Sequence, residues 1–218
     1  MEGFTMEYIM KILPSLIDGA GMTLKVFFFT LLGSIPLGVL VAFGLRVTFK
    51  PLTFILNLYI WLMRGTPLLL QLIFLFFGLP AIGIVFERYD AVMIAFILNY
   101  GAYFAEIFRG GLQAIPKGQI ESAQVLGLTP FQTAYKIVLP QVIKIILPSI
   151  GNEVINLVKD TSLMYVLGLG DLLRAGKIAT NRDVTLVPLV MVGVIYLFFT
   201  AVLTGLMKYL EKRFSYYK

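Results

Sequence analysis

Glu121-Ser122-Ala123-Gln124-Val125-Leu126-Gly127, then nine residues, then Ile137-Val138-Leu139-Pro140, sits at the centre of a long and comparatively polar connection in an otherwise apolar chain. Residues 121–126 favour a short helix. Gly127 supplies the permissive backbone that a helical C-terminus needs. Thr129-Pro130 then reads as the cap and first position of another helix. The segment is a helix–turn–helix, and its neighbours decide the fold.

Apolar runs lie on both sides. A third span is predicted over about Ala91–Phe108 and a fourth over about Gln141–Val158, with the connection 109–140 between them. A first span covers about Thr23–Leu45, with Lys25 snorkelling at its start, and a short loop leads to Pro51. The second, Leu52–Leu79, is interrupted at Arg64-Gly65-Thr66-Pro67, and a fifth covers Val184–Met207. Residues 159–183 read as a polar loop with local apolar turns at Leu163–Leu169. Composition agrees: 59% of the 218 residues are hydrophobic and 14% charged, against about 45–50% and about 25% in soluble domains. Five spans of about 20 residues each use up the length. The expectation is an all-α membrane protein with one transmembrane domain, 1–218. Gly33, Gly38 and Gly44 suit close helix approach.

Residues 5–18 place Met6, Ile9, Met10, Leu13, Leu16 and Ile17 at helical spacing, with Glu7, Lys11 and Asp18 elsewhere on the wheel. This predicts an interfacial N-terminal helix within 1–20, ended by the Gly19-Ala20-Gly21 break. Glu2 and Glu7 precede any apolar run, so the start is not read as a cleavable signal. The side carrying Arg46, Lys50, Arg109, Lys117, Lys136 and the 208–218 tail is richer in Lys and Arg than the side carrying Lys11, Arg88, Lys159, Arg174 and Lys177. The positive-inside rule makes the first side cytoplasmic, with the N-terminus outside and the C-terminus inside.

Several function classes drop out. Without Cys there is no disulfide framework or thiolate metal site. Without His the commonest general base and metal ligand is missing. The net charge of +6 is read as topology-setting loops rather than a nucleic-acid surface. No G-x-x-x-x-G-K-[ST] stretch occurs, so no phosphate-cradling loop is expected on this chain.

The 121–140 stretch resembles the EAA loop of permease subunits of type I ABC importers: E-A-A, three residues, G, nine residues, I-x-L-P. Ser122 for the middle Ala is the one departure. Arg64-Gly-Thr-Pro-Leu-Leu-Leu-Gln71, Asn99-Tyr-Gly-Ala-Tyr-Phe-Ala-Glu106-Ile-Phe-Arg109 and Leu147-Pro-Ser-Ile-Gly-Asn-Glu153, followed by Lys159-Asp-Thr-Ser-Leu163, are similar to the polar amino acid uptake branch. The resemblance implies a five-span core whose cytoplasmic coupling loop, 113–140, docks on ATP-binding subunits through Glu121, Ser122, Ala123, Gly127, Leu139 and Pro140. It implies a second permease subunit, like or unlike, and two ATP-binding subunits that hold ATP and Mg. It also implies an extracytoplasmic amino-acid-binding protein, a bacterial cell membrane, and no cofactor on this chain. Rival readings are a permease of the same architecture for another solute, a passive channel, and a membrane enzyme.

Polar groups at bilayer depth tend to be functional. At about 1.5 Å per residue, Thr66 lies roughly 21 Å into its span, Asn99 roughly 12 Å and Glu153 roughly 18 Å, all near the middle of a core of about 30 Å. Pro67 should break the helix. Thr66 and Pro67 then read as cap and first residue of a half-helix, 67–79, whose N-terminus suits a carboxylate. Arg64 strengthens that field or pairs with a buried acid. Glu153 receives an ammonium group, or pairs with Arg64 or Lys159, and Asn99 hydrogen-bonds beside it. Asp160, seven residues after Glu153, is a further candidate. Glu106 and Arg109 are expected to pair locally, and Tyr59, Trp61 and Tyr100 are read as belt or core.

Overall fold

The computed structural model describes residues 5–214 and, among them, contains helices and no strand. Glu2 and Lys218, used above for the two ends, lie outside the described residues. Four helices are long and apolar enough to cross a membrane, and a sharply bent pair supplies the fifth span.

Helix α1 runs unbroken over Met6–Gly44, opened by Thr5, whose hydroxyl accepts from the Tyr8 N–H at 3.3 Å. The break expected at Gly19-Ala20-Gly21 does not form, and the N-terminal amphipathic segment is continuous with the first span. Tertiary packing explains this. Tyr8, Ile12 and Leu16 pack in one cluster with Leu172, Ala179, Val187 and Val192, and a Cβ at Gly19 would come within 2.9 Å of the Asp171 carbonyl oxygen. A glycine that reads as a stop serves a close helix approach instead. At about 1.5 Å per residue α1 is nearly 60 Å long, roughly twice the hydrocarbon thickness. Met6, Met10, Leu13 and Ile17 stay exposed along its first turns.

Helix α2 (Lys50–Gly65) meets the helical run Leu68–Ile82, which opens with α3 (Leu68–Ile73), at 105°. A π turn, Phe74–Gly78, and a 3-10 turn, Leu79–Ile82, follow α3. Helix α4 (Arg88–Gln113) crosses the middle of the molecule. The main core joins Val26 and Phe27 of α1, Leu68 and Leu72 of α3, Phe96, Tyr100 and Phe104 of α4, and Val154, Leu157 and Val158 further along. Gly38 lets α1 and α4 touch: a Cβ there would lie 2.6 Å from the Phe104 Cβ and 2.9 Å from the Ala105 nitrogen.

Helix α5 (Lys117–Val125) is followed by Gly127 at φ +75, in the left-handed region where a Cβ is penalised. Thr129 then opens α6 (Pro130–Thr133) with a reciprocal capping box to Gln132. A π turn, Ala134–Val138, leads directly into α7 (Leu139–Asp160). The fourth span was expected to begin at Gln141; the helix instead runs continuously from Pro130 to Leu167, ending in a 3-10 turn over Thr161–Leu167. The expected polar loop up to Asp183 contains α8 (Leu172–Asp183), capped by Asp171, and α9 (Val187–Arg213) forms the fifth span.

Candidate functional site

The break in the second span opens onto a cavity of about 620 Å³, walled by the α2–α3 bend, α4 and α7. Arg64, Thr66, Asn99, Glu153 and Asp160 all line it, together with Tyr100, Tyr103 and Asn156. Depth arithmetic alone placed three of these near mid-membrane; the structure turns all five candidates toward one space.

The bend is held by side chains. Thr66 has an extended backbone, φ −122 and ψ 145, and the α3 cap Pro67 is extended too. Thr66 does not cap α3 as expected. Its hydroxyl donates back to the Leu62 carbonyl at 2.8 Å and accepts from Gln71 Nε2 at 2.8 Å. Gln71 Nε2 also donates to the Met63 carbonyl at 2.9 Å. Asn99 Nδ2 donates to the same carbonyl at 2.9 Å and to Gln71 Oε1 at 3.1 Å. These bonds satisfy carbonyls that the end of α2 leaves without helical partners. Asn99 is thus committed through its amide to holding the bend, while still forming part of the wall. The expected half-helix 67–79 is α-helical only over Leu68–Ile73. Six residues align few peptide dipoles, so Arg64, not a helix end, is the main source of positive charge on this wall.

Arg64 Nη1 lies 3.5 Å from Glu106 Oε2, and its guanidinium carbon stands 5.2 Å from the centre of the Tyr103 ring. The same Glu106 oxygen accepts from Arg109 Nη2 at 2.6 Å, the local pair expected from their spacing. Arg64 therefore does meet a partly buried acid, but that acid is Glu106. Among the described residues Glu153 forms no ion pair with Arg64 or Lys159. Asp160 Oδ2 accepts from the Tyr100 hydroxyl at 2.7 Å. Tyr100 had been read as core or belt, and it is both buried and part of the wall. Tyr59 donates to the Leu98 carbonyl at 2.6 Å and Trp61 is largely exposed, as their reading implied. Sequence reasoning also passed over Gln71 and Asn156. Asn156 is three residues after Glu153 and so shares its helix face, a signal that was there to be used.

A second candidate surface is the α5–α6 turn. Glu121, Ser122 and Gly127 are exposed, as are Leu139 and Pro140, whereas Ala123 is buried against the body of the chain. The exposed face carries Val125, at 89% exposure, with Leu126 and the stacked pair Phe131 and Tyr135 nearby.

Residues 34–216 match the family described as binding-protein-dependent transport system inner membrane component. The chain is 36% identical over 206 residues to the arginine transport system permease protein ArtQ of Bacillus subtilis (strain 168), covering 92% of this chain and 93% of that protein. It is 34% identical over 212 residues to the putative glutamine transport system permease protein GlnP of Rickettsia conorii (strain ATCC VR-613 / Malish 7), covering 95% and 97%. Its fold is similar to a crystal structure of an amino acid ABC transporter with histidines, with a TM-score of 0.89, 33% identity, and coverage of 97% of this chain and 99% of that one. With the helical fold and the loop motif, these matches make the chain a member of the binding-protein-dependent transport system inner membrane component family, a membrane-embedded permease subunit of an ABC importer.

Proposed function

We propose that this permease takes up polar amino acids and that the cavity at the bend holds the solute partway across the membrane. The observation that carries the reading is the cavity's division of charge: Arg64 on the α2 side, Glu153 and Asp160 on the α7 side. An α-carboxylate near Arg64 and Thr66 and an α-ammonium near Glu153 satisfy both walls, and Asn99 fixes the bend between them. The names of the relatives, arginine and glutamine transport permeases, support an amino acid over a sugar or an inorganic ion.

The remaining assignments follow the family's architecture. A second permease subunit, like or unlike, completes the pathway, two ATP-binding subunits hold ATP and Mg, and an extracytoplasmic binding protein delivers solute. The chain lies in a bacterial cell membrane with its N-terminus outside and its C-terminus in the cytoplasm. Glu121, Ser122, Ala123, Gly127, Leu139 and Pro140 shape the segment that docks on the ATP-binding subunits. Its second half, from Pro130, continues without interruption into the helix bearing Glu153 and Asp160. Nucleotide and binding protein each favour one of two access states, and their differential binding moves the population between them.

The test is ATP turnover by the reconstituted complex against a panel of amino acids. Glu153→Gln and Thr66→Val should raise the half-stimulating concentration, Glu153→Gln by about tenfold, equivalent to roughly 1.4 kcal/mol. Unchanged affinity in both variants rejects the pocket.

A further inference from the structure

A second cavity, of about 460 Å³, lies where the end of α1, the end of α4 and the α5–α6 segment come together. It shares no lining residue with the solute cavity. Its volume falls in the range of about 300–1,000 Å³ usual for small-molecule sites. Leu112, Val138, Leu139 and Val142 give it apolar walls. No carboxylate lines it, and its one charged side chain is Arg46. Arg46 is exposed and forms no ion pair among the described residues. Gln124 and Tyr135 line the same space, and neither side chain makes a hydrogen bond among the described residues.

An unpaired cation and two free donors beside an apolar slot match an amphiphilic anion. A small soluble anion leaves the walls without apolar contact, and a neutral apolar chain leaves Arg46 without a counter-charge. The approach to the cavity is apolar as well. Leu32, Leu40 and Phe43 are exposed at helical spacing along α1 and lead to Arg46, and Leu139 and Ile145 are exposed on α7. In a membrane-spanning subunit such faces meet acyl chains. The docking face proposed for α5 stays free. Ile120 and Gln124, one turn apart, face the cavity, whereas Glu121 and Val125 lie on the neighbouring face.

We infer that this cavity holds one acyl chain of an anionic phospholipid, with the lipid phosphate on Arg46. The lipid then joins the first span to the segment that docks on the ATP-binding subunits. Basic pockets between spans at a leaflet's edge suit such headgroups, and one Arg favours an anionic lipid by about fivefold.

The experiment is photolabelling of the purified complex, with its ATP-binding subunits, in nanodiscs. The probes are phosphatidylglycerol and phosphatidylcholine, each with a diazirine on one acyl chain, and labelled residues are mapped by mass spectrometry. Labelling at Phe28 and Leu32, exposed on the same helix, is the reference for bulk lipid. Relative to that reference, the phosphatidylglycerol probe should label residues 43–46 and 135–142 about fivefold more than the phosphatidylcholine probe. Arg46→Gln should bring that ratio to unity, and Arg46→Lys, which keeps the charge, should preserve it. Excess inorganic phosphate should leave the labelling unchanged; displacement by it would reveal a free-anion site and overturn the lipid assignment. Equal labelling by the two probes, or a ratio indifferent to Arg46→Gln, leaves only bulk lipid and overturns the inference. Reference labelling with none in the cavity would mean that a protein partner fills it, and overturns the inference too.

Discussion

Asp171 and Asp183 stand at the two ends of α8 and respond to pH in opposite senses. Asp171 is fully buried, and its Oδ2 accepts from the Leu173 N–H at 3.0 Å. Burial pushes its carboxyl up to about 6, against the downward pull of hydrogen bonds from the Leu173 and Arg174 N–H groups and of the Arg174 charge. Asp183 is held down to about 2 by paired hydrogen bonds from Arg182 and by the Tyr8 hydroxyl at 2.7 Å. An unfolded aspartate titrates near 3.9. A raised folded value stabilises the fold below about 4, and that contribution is lost as pH rises through 6; a lowered one stabilises above about 4 and is lost as pH falls toward 2. Asp171→Asn keeps a capping side chain and removes the first effect. Thermal midpoints of the detergent-solubilised complex should fall between pH 5 and pH 7 in the wild type by the equivalent of roughly 1 kcal/mol from this group, and the variant should show a correspondingly shallower slope across that window. Identical slopes would show that Asp171 is already ionised at pH 5. Asp171-Leu172-Leu173 carried a readable cap signal, but the charged residues of 174–183 gave no strong apolar periodicity, so the helix read as loop.

Prolines and glycines show where element boundaries were legible. The two π turns, Phe74–Gly78 and Ala134–Val138, each end just before a proline, Pro80 and Pro140. A proline has no N–H and crowds the carbonyl four residues back, here Phe76 and Lys136, each inside its π turn. Widening the turn accommodates the ring without ending the helix, which is why Pro140 did not mark the start of the fourth span. The helix–turn–helix was legible because Gly127, Thr129 and Pro130 act locally. The continuity of α1 was not, because what holds Gly19 in the helix is a chain segment about 150 residues away. Gly38→Leu tests close helix approach. Its side chain collides with Phe104 and Ala105, and the cost should reach about 1–3 kcal/mol or more, seen as a lowered thermal midpoint or failed assembly. Gly193 of α9 has nothing within 4 Å of a built Cβ, so Gly193→Ala should leave the midpoint unchanged or raise it. Equal tolerance at both positions would mean that α1 and α4 can separate freely.

In the assembled fold the cavity at the bend and α6 lie on one continuous helix. The helix from Pro130 to Leu167 begins beside α5 and carries Glu153 and Asp160 to the cavity wall. Gln141 strengthens the junction, its Nε2 donating to Gln119 Oε1 of α5 at 2.6 Å and to the Ile137 carbonyl at 2.7 Å. A push delivered at α5 crosses the Gly127 turn and the Gln141–Gln119 bond to the helix that starts at Pro130, and from there reaches the carboxylates through continuous backbone hydrogen bonds. From Pro130 onward no coupling pathway of scattered contacts is needed, because one helix runs to the cavity wall. Glu121 is exposed on α5 and serves no bond within the described residues, so reversing its charge should leave insertion and folding intact. Glu121→Arg, reconstituted with its ATP-binding subunits and binding protein, should retain amino-acid binding while uphill uptake falls by about tenfold or more, the loss expected when a docked charge meets the wrong partner. Uptake at the wild-type rate would show that α5 does not receive the push, and loss of solute binding would show that the variant has disturbed the cavity instead.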